Sequence, residues 1–263
     1  MKAFYNNHKI ISMCKILTRY CFVLVALLVL GSSCKKDYYR DTGILSPEFN
    51  GTVLEYLRSK PHYFDSTLKI IKMAGMENVF NTEPITFYAP LDSTIRATLS
   101  VVNFRLEDQG KPRVTRMEQI KPAVWKKYLC RYLFKGAKSM NDYPQLDPLN
   151  LSAFAGQVYA SYNGQLMNVG VIQTDAGGVR YAGYRYLQLA YIPSESAARD
   201  YYSWYRVDVA SVNIKPTNGY VHALSSYSSN AFLNADGDLS FFDAFFGFNP
   251  FEFYLDAEAA GID

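Results

Sequence analysis

The hydrophobic period of the chain changes near Gly136. Between residues 50 and 135 the apolar side chains recur mainly every three or four positions, which is the spacing of an amphipathic helix. After Gly136 they mostly alternate, and asparagine–glycine pairs separate the alternating arms, as in β-hairpins. Helices at the front of the domain and strands behind them predict an α+β fold.

Three helices are predicted from their start signals and apolar faces. The first begins at Asn50 or Thr52, either of which can cap it. The second begins at Asp65 and ends near Gly75, and the third has Pro122 in its first turn. The apolar faces, which we interpret as parts of the core, are formed by Val53, Leu54 and Leu57, by Phe64, Leu68, Ile71 and Ala74, and by Trp125, Tyr128, Leu129 and Tyr132.

A short strand lies within this helical half. Residues Ile85–Ala89 alternate like a strand and Pro90 ends it. The pair Asp92 and Ser93 can cap a further helix that begins at once. Residues 103–118 are polar and basic, and we expect an irregular insertion there.

Two hairpins are predicted in the second half. The pair Asn163-Gly164 joins two alternating arms, and Asn218-Gly219 joins the two arms of the segment Tyr205–Leu224. A two-residue turn needs positive φ angles, which asparagine and glycine tolerate. We therefore expect both pairs to form such turns.

Residues 1–33 have the composition of a secretory signal peptide. They contain four basic residues, no acidic residue and the apolar run Cys21–Leu30. This run is much shorter than the roughly 20 residues that a membrane-spanning helix needs, so we favour a cleaved signal over a permanent span. Translation from Met1 or from Met13 would supply such a signal.

The end of this signal resembles the lipobox of bacterial lipoproteins, because Leu30–Cys34 places small residues directly before a cysteine. The resemblance implies cleavage before Cys34, acylation of its thiol and attachment to a membrane of the cell envelope. The expected location is the outer membrane of a Bacteroidetes-type bacterium, on its periplasmic or its surface face. Residues 34–48 are charged and lack apolar periodicity, which predicts a tether.

Removal of the signal would change the net charge. Four of the 27 Lys and Arg residues lie in it, which leaves 23 against 24 acidic residues, a net charge near −1. We expect no nucleic-acid partner, because such surfaces need clustered basic residues. With Cys34 acylated, Cys130 is the remaining cysteine, so no intrachain disulfide can form. Burial as a small apolar side chain is favoured for Cys130 over a nucleophilic role.

Two segments resemble sequence blocks of the fasciclin (FAS1) domain family. Residues 85–95 are similar to the block that contains a strand, a proline and a capped helix. Residues 212–224 are similar to the block in which an asparagine–glycine pair precedes an apolar strand. The helical segment 125–135 lies between them in the family's order. The fold-motif positions within the two blocks are Pro90, Asn218, Gly219 and His222.

The resemblance implies a FAS1-like wedge of two β-sheets with helices packed on one side. It would cover residues 49–228, with insertions near 100–118 and 140–205. It also implies a non-enzymatic role in cell-surface adhesion, without a cofactor. The chain departs from the family where Leu133 follows Tyr132 and where Ala223–Ser225 replaces an apolar–aspartate ending, so the resemblance indicates the fold more than it indicates a ligand.

Residues typical of catalytic or metal sites are scarce. The mature chain has two histidines, His62 and His222, and neither stands in a metalloprotease or nucleophile motif. We therefore predict no catalytic residue and no metal ligand, and we expect a hydrogen-bonding role for His222. The segment Asn234–Asp238 resembles part of a calcium loop, but the closing glutamate is missing and a turn is expected.

The C-terminal extension, residues 229–263, is aromatic and acidic. Left exposed, it would form an apolar patch of the kind that marks an interface. We expect it to pack on its own domain instead, because large apolar patches are seldom left open.

The leading hypothesis is a lipid-anchored adhesion or binding module of FAS1 type that binds a surface protein or a polysaccharide. The alternative is a glycan-binding accessory lipoprotein of a polysaccharide-uptake system, because aromatic residues crowd between Tyr181 and Tyr205 and their rings can stack on sugars. An envelope hydrolase has no positive feature in the sequence. The candidate ligand-binding residues are Trp204, Tyr205, Tyr202 and Tyr184.

Overall fold

The computed structural model describes residues 47–233 and 239–263, and the side chains of these residues outside 228–243. The predicted signal peptide, Cys34 and most of the predicted tether lie outside this range, as does the predicted turn at 234–238. Pro47 and Glu48, the last residues of the predicted tether, already pair with Lys215. Residues 47–263 belong to one compact unit.

Six α-helices occur in the described part of the chain. Thr52 caps the first by accepting a hydrogen bond from the backbone N–H of Glu55 (3.2 Å), which confirms the predicted start. The second begins at Pro61 rather than Asp65, because proline suits a first helical turn. No helix among the described residues is both long and apolar enough to cross a membrane. Their bounds are α1 Val53–Arg58, α2 Pro61–Met73, α3 Glu77–Thr82, α4 Asp92–Asp108, α5 Pro122–Leu129 and α6 Pro250–Ala260.

Helix α4 extends into the predicted irregular insertion, so that prediction is wrong for its first six residues. Val102 and Leu106 are buried and continue the apolar face of α4 by one turn. Asn103 then holds the following segment, because its side chain accepts a hydrogen bond from the backbone N–H of Val114 (2.7 Å) and donates to its carbonyl oxygen (3.0 Å). A helix with one buried face can be polar overall, and composition therefore gave the wrong result.

Seven of the nine described strands form one mixed sheet in the order β2-β1-β7-β6-β5-β4-β3, and β8 pairs with β9. Within the large sheet β1 and β7 are parallel, and the other neighbours are antiparallel. The helices and this mixed sheet confirm the predicted α+β class. The strand bounds are β1 Ile85–Ala89, β2 Leu133–Lys135, β3 Gln157–Ala160, β4 Leu166–Gln173, β5 Arg185–Tyr191, β6 Tyr205–Ile214, β7 Gly219–Leu224, β8 Tyr227–Leu233 and β9 Leu239–Asp243.

Strand β6 joins two portions of the large sheet. Its first residues pair with β5, from Tyr205 opposite Tyr191 to Asp208 opposite Gln188. Its later residues, from Val209 onward, pair with β7 through a ladder with register shifts. Such irregularities bend a strand and increase its twist. The two portions of the sheet are therefore joined through β6, which pairs with β5 in its first part and with β7 in its second.

The main core lies between the helices and one face of the sheet, and it contains buried residues such as Leu57, Phe87, Trp125 and Leu189. Alternate residues of β4 and β5 point to the opposite face, where the segment 194–204 covers a smaller core. The buried members of this smaller core are Leu146, Ile172, Ala190, Ile192, Ala197, Tyr201 and Trp204.

The C-terminal segment packs on its own domain, as predicted. Phe246 and Phe253 are buried, and their rings lie 5.8 and 5.0 Å from the indole of Trp125. Asn249 caps α6 by accepting hydrogen bonds from two backbone N–H groups of its first turn. Phe246, Phe248, Phe253 and Tyr254 of this segment thus belong to the main core.

The turn at Asn163-Gly164 is longer than predicted, since the loop between β3 and β4 covers residues 161–165. Gly164 has a positive φ of 83°, whereas Asn163 does not. The backbone N–H of Tyr162 donates to the carbonyl oxygen of Leu133 in β2 (2.7 Å), which draws Tyr162 out of the β3–β4 ladder. This tertiary hydrogen bond is the reason why the predicted two-residue turn is wrong.

Candidate functional site

The two sequence blocks meet as neighbouring strands of the large sheet, next to its edge strand β2. β1 pairs in parallel with β7 along its whole length, beginning with Ile85 opposite Gly219. Pro90 follows β1 directly, and its carbonyl oxygen accepts a hydrogen bond from the hydroxyl of Thr67 in α2 (2.9 Å). The first block therefore also connects the sheet to helix α2.

Asn218 and Gly219 do not form the predicted two-residue turn, because Asn218 lacks a positive φ and Gly219 is the first residue of β7. A Cβ atom at Gly219 would lie 1.8 Å from the carbonyl oxygen of Ile85, so glycine is needed for the close approach of the two strands. The Asn218 side chain instead joins helices to the sheet. Its Oδ1 accepts from the backbone N–H of Val53 (2.8 Å), and its Nδ2 donates to the carbonyl oxygen of Phe80 (3.1 Å).

His222 is fully buried and holds a loop with both ring nitrogens. Nδ1 accepts a hydrogen bond from the backbone N–H of Asn213 (3.2 Å), so Nε2 carries the proton and donates to the carbonyl oxygen of Lys138 (3.0 Å). Burial lowers the pKa of His222 to about 4, against the opposing effect of the hydrogen bond to Lys138. The ring is neutral at neutral pH and fixes the loop after β2 to the β6–β7 pair.

Aromatic side chains cluster on the sheet face that carries the smaller core. Tyr184 and Tyr202 are each 72% exposed. The rings of Tyr184 and Tyr186 are 5.8 Å apart, and the guanidinium carbon of Arg206 lies 4.2 Å from the ring centre of Tyr201 and 5.9 Å from that of Tyr202. We name this cluster, consisting of Tyr184, Tyr186, Tyr201, Tyr202 and Arg206, the aromatic platform.

A chain of side-chain hydrogen bonds lies beneath the platform and holds Tyr201 in place. The Tyr201 hydroxyl donates to Oε1 of Gln188 (2.9 Å), and Nε2 of Gln188 donates to Oδ1 of Asp208 (2.9 Å). Burial raises the pKa of Tyr186, and the charges of Asp208 and of the neighbouring tyrosines act in the same direction. Fixed rings beside a guanidinium group suit stacking on a sugar ring or on another aromatic side chain.

Trp204 and Tyr205 are candidate ligand-binding residues from the sequence, but the structure does not place them in the platform. Trp204 is 3% exposed, and its Nε1–H donates to a backbone carbonyl (2.8 Å) within the smaller core. The Tyr205 ring lies 6.3 Å from that of Tyr191 on the other side of the sheet. Aromatic density in a sequence gives no face, because successive strand residues point in opposite directions.

Cys130 is a buried core residue, as predicted. Its side chain is 3% exposed, and the Sγ atom lies 3.8 Å from Sδ of Met76. Burial raises the pKa of the Cys130 thiol to about 11. A thiol in this environment is a poor nucleophile, because the reactive form is the thiolate.

His62 is exposed and lines a cleft of about 370 Å³ with Asp92 and Arg96. The Asp92 carboxylate accepts a hydrogen bond from the backbone N–H of Ser66 in α2 (2.9 Å). Asp92 therefore does not cap α4 as predicted, since that helix has no side-chain cap. No three or more His, Cys, Asp or Glu side chains in the described ranges are grouped so as to hold a metal ion.

No family model and no curated protein matches the chain. Among solved structures it is similar to one described as a FAS1 domain pair from the insect cell adhesion molecule fasciclin I. The TM-score is 0.42 and the sequence identity 15%, over 66% of this chain and 49% of that one. The match thus spans about half the length of the insect domain pair.

Proposed function

We propose that this chain is a non-enzymatic binding module of FAS1 type, held to the cell envelope by lipid on Cys34 and used for adhesion to a surface protein or polysaccharide. The observation that carries the proposal is the parallel pairing of β1 with β7, because the two sequence blocks that resemble FAS1 become neighbouring strands of one sheet. If β1 and β7 had each paired with other strands, the two sequence blocks would not support the proposal.

The aromatic platform supports the binding role. Tyr184 and Tyr202 expose large rings, while the hydrogen bonds of Tyr201 and Gln188 fix the surface below them. The Tyr201 ring is already held by its hydrogen bond, so it loses little conformational entropy when a partner binds. The platform is therefore the described surface that we assign to the adhesive contact.

A non-enzymatic role fits the surroundings of Cys130 and His222, the thiol and the imidazole that could otherwise serve as a nucleophile and a general base. The Cys130 thiol is buried beside Met76, and both ring nitrogens of His222 are bonded to backbone groups. Neither can exchange a proton with a bound substrate without breaking the packing around it.

Lipid attachment is tested by replacing Cys34 with serine in the full chain. We expect the native chain to incorporate a labelled fatty acid and to sediment with the membrane, and the Cys34→Ser variant to lose both properties. A Cys130→Ser variant is the matched control, and it should keep both. Sedimentation of the Cys34→Ser variant with the membrane would contradict the proposed anchor.

Adhesion is tested by displaying the full chain on a non-adherent bacterium and measuring cell retention on immobilised surface proteins and polysaccharides. The double variant Tyr184→Ala, Tyr202→Ala should lower retention by about tenfold, since two stacking rings are lost. Tyr63→Ala, Tyr227→Ala removes two other exposed tyrosines (57% and 61% exposed) and serves as the control. Equal retention of both variants would exclude the platform.

The second candidate, a glycan-binding accessory protein for polysaccharide uptake, is favoured by the exposure of Tyr184 and Tyr202 on one cluster. It predicts capture of soluble polysaccharide by the purified chain without adhesion of cells to protein-coated surfaces. Retention on proteins but on no polysaccharide would leave the adhesion module as the better assignment.

A further inference from the structure

A second concave surface lies at the β2 edge of the fold, away from the residues that form the platform. This cleft has a volume of about 330 Å³ and is bounded by β2, the loop that follows it and the β3–β4 hairpin. That volume is at the lower end of the range usual for small-molecule sites. The residues that concern its chemistry are Lys135, Lys138, Tyr143, Tyr159 and Tyr162.

Each lysine of the cleft approaches a tyrosine ring. Nζ of Lys135 lies 5.5 Å from the ring centre of Tyr162, and Nζ of Lys138 lies 5.6 Å from that of Tyr159. Tyr159 is partly exposed and meets the buried Tyr143 edge to face, with ring centres 5.5 Å apart. The cleft therefore offers flat apolar ring surface and two positive charges within one small volume.

The lysine wall of the cleft is fixed by β1 and β7. The backbone N–H of Lys138 donates to the hydroxyl of Thr86 in β1 (2.9 Å), and its carbonyl oxygen accepts from His222 in β7 (3.0 Å). The next residues are held by Asn213, whose Oδ1 accepts from the backbone N–H of Met140 (2.7 Å). His222 thus acts as a positioning residue for Lys138.

The tyrosine wall is fixed independently. Tyr162 is tied to β2 by its backbone N–H, which donates to Leu133 (2.7 Å). Its hydroxyl donates to both carboxylate oxygens of Glu83 (3.1 Å each). The two walls therefore keep their spacing without a ligand, which lowers the entropic cost of binding one.

The residues that line the cleft carry two positive charges, and the two carboxylates beside it accept hydrogen bonds from other groups, that of Glu83 from Tyr162 and that of Asp142 from Ser139. Neither Lys135 nor Lys138 forms an ion pair with a residue in the described part of the chain, and none of the residues that line the cleft is acidic. The nearby Asp142 accepts hydrogen bonds from the backbone N–H and the hydroxyl of Ser139 (2.7 and 2.8 Å). These bonds lower the pKa of Asp142, with a smaller contribution from the charge of Lys138.

We infer that this cleft binds the carboxylated sugar of an acidic polysaccharide. The sugar ring stacks on the half-exposed faces of Tyr159 and Tyr162, and its carboxylate is held by the ammonium groups of Lys135 and Lys138. The inference rests on the proposed binding function and names its ligand class. It uses a different surface from the aromatic platform, so the two can fail separately.

The test is calorimetric titration of the full chain in detergent with oligogalacturonate, with its neutral methyl ester and with polyglutamate. We expect oligogalacturonate to bind at least about tenfold more tightly than the other two, because it alone combines a sugar ring with a carboxylate. The double variant Lys135→Gln, Lys138→Gln should weaken the binding of oligogalacturonate by about tenfold or more. Added salt should also weaken it, because salt screens the charges. Tyr159→Leu should weaken the methyl ester and the acid alike.

Lys60→Gln, Lys72→Gln is the matched control, because it removes two exposed positive charges elsewhere. Equal weakening in this control, equal binding of the methyl ester and the acid, equal binding of polyglutamate, or no binding at all would overturn the inference. Tyr184→Ala, Tyr202→Ala should leave this titration unchanged. If the cleft variants bind oligogalacturonate as tightly as the native chain and the displayed chain still retains cells, the cleft inference is refuted. The proposed adhesion module would then stand.

Discussion

The guanidinium carbon of Arg131 lies 3.9 Å from the ring centre of Tyr191 and 4.5 Å from that of Tyr128. The Arg131 side chain is fully buried, yet it donates hydrogen bonds to the carbonyl oxygen of Gly247 and to the carboxylate of Glu252. One buried cation therefore connects the end of α5, the sheet and the C-terminal helix.

Loss of the charge on Glu252 should loosen this connection. Glu252→Gln keeps the shape of the side chain but leaves a buried guanidinium without its carboxylate partner. We expect the free energy of unfolding to fall by about 2 kcal/mol, less than for a fully buried pair because the Glu252 side chain is 29% exposed. Urea unfolding measures this change. Glu195→Gln, at an exposed position, should change it by less than about 0.5 kcal/mol, and an equal effect of both variants would contradict the role of Arg131.

The close approach of β7 to β1 predicts a large effect of a single methyl group. In Gly219→Ala the new Cβ would meet the carbonyl oxygen of Ile85, so β7 and β1 must move apart. We expect a loss of about 3 kcal/mol in the free energy of unfolding. Gly177→Ala is the control, because Gly177 has a φ of 59° but no atom near its Cβ position, and it should cost about 1 kcal/mol. A smaller loss for Gly219→Ala than for the control would show that the strands are less closely paired.

Burial of neutral His222 predicts a pH dependence of stability. Its pKa is lowered from 6.5 to about 4 in the folded chain, so the unfolded chain binds more protons between these values. The stabilising contribution is therefore complete above about pH 6.5 and is lost as the pH falls towards 4, by about 3 kcal/mol in all. The measurement is urea unfolding across this range.

His222→Gln tests the origin of this dependence. A glutamine amide can still donate to the carbonyl oxygen of Lys138 but does not titrate. We expect its stability to be nearly independent of pH between about 4.5 and 6.5. A slope as steep as that of the native chain would mean that another group is responsible.

The buried thiol of Cys130 should resist alkylation. At about pH 8 a pKa of about 11 in place of 9.0 lowers the thiolate fraction by about a hundredfold, and burial restricts the reagent further. Mass spectrometry of the peptide that contains Cys130 should detect no iodoacetamide adduct in the folded chain and complete modification in urea. Rapid modification without denaturant would indicate that α5 opens readily.

The sequence by itself determined the types and order of many elements. The apolar spacing of Trp125, Tyr128 and Leu129 predicted the buried face of α5, and the alternation of Ile85–Ala89 predicted β1. Periodicity was sufficient there because each pattern reports which side of one element is apolar, and that is a local property. The burial of Cys130 was expected for a different reason, because free cysteines are commonly buried as small apolar side chains. The acylation of Cys34 stays a prediction that rests on sequence alone.

Only the tertiary structure decided which side chains face solvent and which meet across the fold. Tyr202 and Trp204 are two residues apart, yet one is exposed and the other closes the smaller core, because the segment 194–204 folds back over β4 and β5. The cleft was missed because the contact of Tyr162 with β2 joins residues that are distant in the chain. Periodicity reports the apolar side of one element, whereas such contacts depend on how the elements pack together.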